Sequence, residues 1–116
     1  MELRSVDELM ELLHACGGEH ALRTAALLRR SRPADKELQV AGLMLGTGQR
    51  AEVFRTLLGE RVHRLVRRHG PAPDDDLLRL AGEESLTARF DAGVLEDWRA
   101  VLELVAARNS RLETVD

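Results

Sequence analysis

Residues 19–48 read EHALRTAALLRRSRPADKELQVAGLMLGTG, and this stretch decides the fold. It holds two helical patterns on either side of Pro33. The first runs from about Glu19 to Arg30 and presents Leu22, Ala25, Ala26 and Leu28. Small alanines on such a face let a neighbouring helix come close. Arg29, Arg30 and Arg32 crowd its C-terminal end, where cations complement the helix dipole. Pro33 lacks an N–H and its ring clashes with the preceding turn, so it enforces a break. The second pattern runs from about Asp35 to Leu45, with Asp35 suited to the N-cap or first turn. Leu38, Ala41, Gly42 and Leu45 share one face, with Val40, Leu43 and Met44 close by. A helix apolar most of the way round belongs at the centre of the molecule. Gly46-Thr47-Gly48 breaks the chain again.

Upstream, Ser5 and Glu8 have the spacing of a capping box. Val6, Leu9, Leu12, Leu13 and Cys16 then recur at helical steps, and Gly17-Gly18 ends that helix. His14, next to Leu13, reads as a surface or partly buried histidine. Downstream, a short helix from about Arg50 to Leu58 turns Val53, Phe54, Leu57 and Leu58 inward and stops at Gly59. The next, from about Glu60 to His69, carries Val62, Leu65, Val66 and His69 on one stripe. Arg61, Arg64 and Arg68 form a second stripe, expected in solvent, and His63 is expected to be solvated as well. Gly70-Pro71-Ala72-Pro73-Asp74 is a stiff connector. Asp74 or Asp75 caps a helix that extends to about Ser85 and is anchored by Leu77, Leu78 and Leu80. Thr87 to Gly93 reads as a loop or bent turn. The last helix spans about Leu95 to Asn109, with Leu95, Trp98, Leu102 and Val105 on its face and Trp98 as a core anchor. There is no strand-like alternation, internal repeat or low-complexity tract. The expectation is a single all-α domain, residues 1–116, of six or seven helices.

Composition sets bounds on function. Hydrophobic residues make up 44% of the chain but aromatics only 3%, so Leu, Val and Ala must build the core. No run approaches the roughly 20 apolar residues that span a bilayer, so no membrane partner is expected. The acidic, amphipathic N-terminus is unlike a secretory signal. Cys16 is the only cysteine, which rules out an internal disulfide and fits a reducing cytoplasm. Many arginines beside a single lysine suggest a GC-rich bacterial source. The net charge of −3 is unevenly spread: −4 over residues 1–22, +7 over 23–70 and −6 over 71–116. A basic middle either binds phosphates or pairs with its own acidic flanks, and internal pairing is favoured. The pI near 5.8 makes nucleic acid an unfavoured partner. Gly46-Thr47-Gly48 lacks the lysine and spacing of a phosphate-binding loop, and no serine has a neighbouring base in sequence.

The stretch His20-Ala21-Leu22-Arg23-Thr24-Ala25, followed by Ala41-Gly42-Leu43-Met44-Leu45-Gly46-Thr47-Gly48, resembles the core of the HD-domain superfamily of metal-dependent phosphohydrolases and oxygenases. Within it, Glu19 to Leu28 and Leu58 to His69 are similar to phrases of the phosphonate-oxygenase-like group, and the similarity covers roughly residues 6–105. The resemblance implies a helical bundle in which a His opens one helix and a His-Asp pair closes the next to hold metal. His20 and His69 match two ligand histidines. The His-Asp pair falls on Leu45-Gly46, which offers no lone pair and no side chain, and the late aspartate has only Glu83 or Glu84 in its place. The implied site is therefore a degenerate one, without a metal cofactor, in which His20, His69 and Arg23 bind ligand. His20 and His69 are expected near each other with Leu45 beside them. If a metal is held at all, His20, His69 and Glu83 are the residual set, a 2-His-1-carboxylate arrangement.

Three functions follow. The first is a non-catalytic HD-like protein that binds a small anionic ligand or a protein partner. The second is an active metal-dependent phosphohydrolase or phosphonate-type oxygenase with a rebuilt metal site. The third is a nucleic-acid-binding helical module that uses the basic middle. A homodimer is compatible with each.

Overall fold

Ser5 Oγ accepts the N–H of Glu8 at 3.2 Å and so caps the first helix, α1, Val6–Cys16. This is the N-cap half of the expected box. The structure is a computed structural model that describes residues 5–16, 19–45, 51–67, 73–85 and 93–114. Within them lie seven α-helices and no strand: α1, α2 (Glu19–Ser31), α3 (Lys36–Leu45), α4 (Arg55–Leu58), α5 (Glu60–Arg67), α6 (Pro73–Ser85) and α7 (Arg99–Thr114). Two 3₁₀ segments, Ala51–Phe54 and Leu95–Trp98, lead into α4 and α7. The two helices expected from Arg50 and from Leu95 thus begin as 3₁₀ turns, a common form for a helix end. Pro73, expected in the connector, instead opens α6 at the position where a missing N–H costs nothing, so Asp74 and Asp75 fall inside the helix and not at its cap. The double-glycine stop, the Gly46 break, the Pro71 connector and all but the end of the Thr87–Gly93 loop lie outside the described residues.

The centre of the bundle is the α2–α3 pair. Asp35 Oδ1 accepts the N–H of Leu38 at 3.1 Å, as an N-cap should. The Gln39 amide donates to Arg32 O at 2.9 Å and Pro33 O at 3.2 Å, tying the end of α2 to the first turns of α3. Further along, Gly42 meets Leu28 and Thr24. Arg32 beside Gln39, then Leu28 beside Gly42, is the register of an antiparallel hairpin. Gly42 is what permits the close approach. A Cβ there would stand 2.6 Å from Leu28 Cδ1 and 3.2 Å from Thr24 Cγ2. Every residue from Leu38 to Met44 is buried, so α3 is enclosed on all sides. Each fully buried Leu, Val or Met in it contributes about 1.5–3 kcal/mol relative to exposure. Around this pair, α6 packs on α2, α5 packs on α3, and α7 reaches α1, α3 and α4.

Several side chains sit differently from the sequence expectation. His63 is buried, with 6% of its surface exposed, because the Ala51–Phe54 turn packs on α5 and covers the side assigned to solvent. Its Nε2 is 3.6 Å from Glu52 Oε1. Arg61 is only partly exposed and donates to Asp35 Oδ1 and Oδ2 at 2.5 and 2.7 Å, so it is a fastener between α5 and the start of α3. Leu80 is exposed rather than an anchor while Leu78 is buried, since residues two apart on a helix face different ways. Trp98 is fully buried as expected. Arg29 stacks over it at 4.9 Å from the ring centroid, a cation–π contact beyond its place at the end of α2.

Gly59 joins α4 to α5 with φ at 97°, a left-handed backbone that favours glycine. Asn109 from α7 closes the same corner by donating to Thr56 O at 2.6 Å and Leu57 O at 3.3 Å. Both carbonyls belong to the short α4, whose last turn Asn109 thereby ties to α7. Among the described residues no helix is long and apolar enough to cross a membrane.

Candidate functional site

The end of α1, the first turns of α2, the last turn of α3 and the Leu95–Trp98 turn surround a cleft of about 180 Å³. Its walls are aliphatic: Leu13, Leu22, Leu43 and Leu95, with Ala21 between them. Leu13, Ala21 and Leu43 are themselves core residues, whereas Leu22 and Leu95 are partly exposed. The cleft is therefore an opening in the edge of the hydrophobic core. Two polar side chains, His14 and Glu19, complete the lining.

The polar rim is built from two ion pairs whose carboxylates are exposed. His14 Nε2 meets Glu96 Oε1 at 3.1 Å, with both side chains more than half exposed. Glu19 pairs with Arg23 at 3.2 Å, one helical turn on. Glu19 also sits in the first turn of α2, where a carboxylate suits the helix dipole. Chemically the cleft offers aliphatic contact over an area the size of one side chain, with exposed carboxylates at its edge. Small-molecule sites usually enclose 300–1,000 Å³, so this one is small for a drug-sized ligand or cofactor.

The structure describes four of the residues singled out from the sequence, on three helices. His20 is exposed in the first turn of α2, and its carbonyl accepts the Thr24 hydroxyl at 2.8 Å. Arg23 is one turn on, engaged with Glu19. Leu45 closes α3, partly buried. Glu83 is on α6, which packs against α2, and bonds Arg79 at 3.1 Å. His69 and Gly46 lie outside the described residues, and with them the expected approach of His20 to His69. Among the described residues, no three His, Cys, Asp or Glu side chains come together in a way that could hold a metal ion.

Four cations of the basic middle, Arg23, Arg55, Arg61 and Arg67, meet acids. Arg55 meets Glu60 at 2.6 Å, and Arg67 approaches Glu52 at 3.8 Å. Arg61 bridges Asp35 and Glu37. The Asp35 carboxyl is held below its ordinary pKa, first by the hydrogen bond from Arg61 against the opposing effect of burial, and further by the Leu38 N–H and nearby charge.

Sequence reading missed the cleft. The sequence marks His14 only as a surface or partly buried histidine and gives no signal at Glu96. Their pairing joins positions at opposite ends of the chain, which no local pattern reveals. Comparison with protein-family models, with curated proteins and with solved structures found no match.

Proposed function

We propose that this chain is a non-catalytic helical domain, a degenerate relative of the HD-domain bundle, that works by binding a protein partner. The observation that carries the reading is the cleft at the α1–α2–α3 edge, which is aliphatic and sized for a single side chain. Binding of a small anion at His20 and Arg23 is less well supported. Arg23 is already engaged by Glu19, and Arg55, Arg61 and Arg67 have acidic partners. Carboxylates also border the cleft, and they disfavour an anion there.

The non-catalytic part rests on Leu45-Gly46. A hydrolytic or oxidative HD-type centre uses metal to make hydroxide near neutral pH or to activate oxygen. A leucine and a glycine supply no donor where the resemblance requires the His-Asp pair. Lone Cys16 and the arginine-rich, lysine-poor composition support a reducing bacterial cytoplasm as the setting. The test is an assay of purified protein with Mn²⁺ or Fe²⁺ against generic phosphodiesters and aminophosphonates. The expected result is no turnover. Turnover that His20→Ala abolishes refutes the proposal and restores an enzyme.

A further inference from the structure

We infer that the partner segment seated in this cleft is basic and apolar, a leucine-sized side chain with arginine or lysine next to it or one helical turn away. This rests on the protein-partner reading above and narrows it to a chemistry. Two independent features carry it. The cleft volume of about 180 Å³ and its aliphatic walls suit one branched or unbranched apolar side chain. The surrounding charge is acidic and accessible: the Glu19 side chain is 85% exposed and that of Glu96 is 63% exposed. Exposed Glu11 stands one turn before His14 on α1, and helix neighbours three apart share a side.

The existing partners of these acids do not prevent the exchange. His14–Glu96 is exposed on both sides, and in Glu19–Arg23 the carboxylate is exposed while the guanidinium is partly buried; pairs open to solvent contribute only about 0–1 kcal/mol. An incoming guanidinium or ammonium can take over either carboxylate at little cost. The apolar anchor supplies the affinity, because its burial removes water from the exposed edges of Leu22 and Leu95. The acids supply orientation and partner choice. A phosphate-bearing or acidic segment meets repulsion at the same rim.

The experiment uses the isotope-labelled chain and three synthetic peptides that share one central leucine. They carry Arg, Gln or Glu at the flanking positions. Amide shifts at Leu13, Leu22, Leu43 and Leu95 report on cleft occupancy, and titration gives Kd. The Arg peptide is expected to bind tightest and to weaken with salt. Glu19→Gln and Glu96→Gln should each weaken it by about two- to five-fold, the worth of a surface ion pair, and leave the Gln peptide unchanged. Leu22→Gln should weaken the Arg and Gln peptides alike by about tenfold, the loss of part of one buried leucine contact. Both Glu substitutions are at exposed positions, so the charge test stands even if Leu22→Gln fails to fold. If the Glu peptide occupies the cleft as tightly as the Arg peptide, the basic-partner inference is overturned while the binding-domain reading survives. If no peptide moves the cleft amides, but dilution of the chain or a short branched alcohol does, the occupant is a second copy or a small molecule and the inference again fails. Metal-dependent turnover lost in His20→Ala would instead remove the non-catalytic reading itself.

Discussion

Asp35 makes two contacts that can be separated by substitution. Its carboxylate caps α3 through the Leu38 N–H and takes both hydrogen bonds of the Arg61 fork from α5. Losing an N-cap costs about 1 kcal/mol. An ion pair of this exposure contributes about 1 kcal/mol at the upper end of its range, given bidentate geometry. Asp35→Ala removes both, so the expected loss is about 2 kcal/mol. Asn caps a helix about as well as Asp, so Asp35→Asn keeps the cap, loses the charge and should cost about 1 kcal/mol. Unfolding entropy of about 2.1 cal/mol/K per residue, over 116 residues, converts these into Tm shifts of about 8 °C and 4 °C.

The pH dependence has a definite sign. The Asp35 carboxyl has a lowered pKa in the fold, from an ordinary value of 3.8. The folded state therefore holds its proton more weakly than the unfolded chain does. The charge contribution is complete above the unfolded pKa and disappears as pH falls through the folded one. The Tm gap between the native chain and Asp35→Asn should be full from about pH 5 upward and should close in acid below the unfolded value. Thermal unfolding followed by circular dichroism across that range is the assay. An Asn variant as stable as the native chain at neutral pH, with a parallel acid limb, would falsify the contribution of the Arg61 pair. An Asn variant as unstable as the Ala variant would show instead that capping by residue 35 contributes nothing.

Two more substitutions probe the packing. Gly42→Ala puts a methyl 2.6 Å from the buried Leu28 Cδ1; overpacking of about 1–3 kcal/mol outweighs the helix-propensity gain of about 1 kcal/mol. Urea unfolding should give a lower midpoint, and an unchanged or raised midpoint would show that Leu28 moves aside freely. Asn109→Ala removes the amide that donates to Thr56 O and Leu57 O and should cost about 1 kcal/mol. Asn109→Asp should cost more, because it points an acceptor at acceptors, and equal losses in the two variants would reject that account.

The helices were legible where the signal is local. Ser5, Asp35 and Pro33 mark helix ends by their own chemistry, and the apolar character of Leu38 to Met44 announces a central helix without knowledge of its neighbours. The 3₁₀ turns at Ala51–Phe54 and Leu95–Trp98 were not legible, because four residues are too few to distinguish a period of 3.0 from one of 3.6. His63 and Arg61 depart from the sequence pattern for a different reason. Each lies off the apolar stripe of α5, and stripe logic sends such residues to water. What covers His63 is the Ala51–Phe54 turn, and what holds Arg61 is a carboxylate 26 residues earlier. Periodicity reports which side of a helix is apolar; it does not report how many neighbours a short helix has.

The site was less legible than the fold because its walls come from four separate segments. The HD-like resemblance drew attention to His20, and the cleft begins one residue before it, at Glu19. That adjacency does not merge the two. Successive residues on an α-helix are rotated by about 100°, so Glu19 and His20 leave the same turn of α2 in different directions. His20 is exposed and is not part of the cleft lining. A binding role for the cleft consequently borrows nothing from the resemblance: it stands on the aliphatic walls and carboxylate rim, while the fate of a metal centre turns on Leu45-Gly46 and the histidines. The two claims occupy neighbouring surfaces of one helix start, and either can fail without the other.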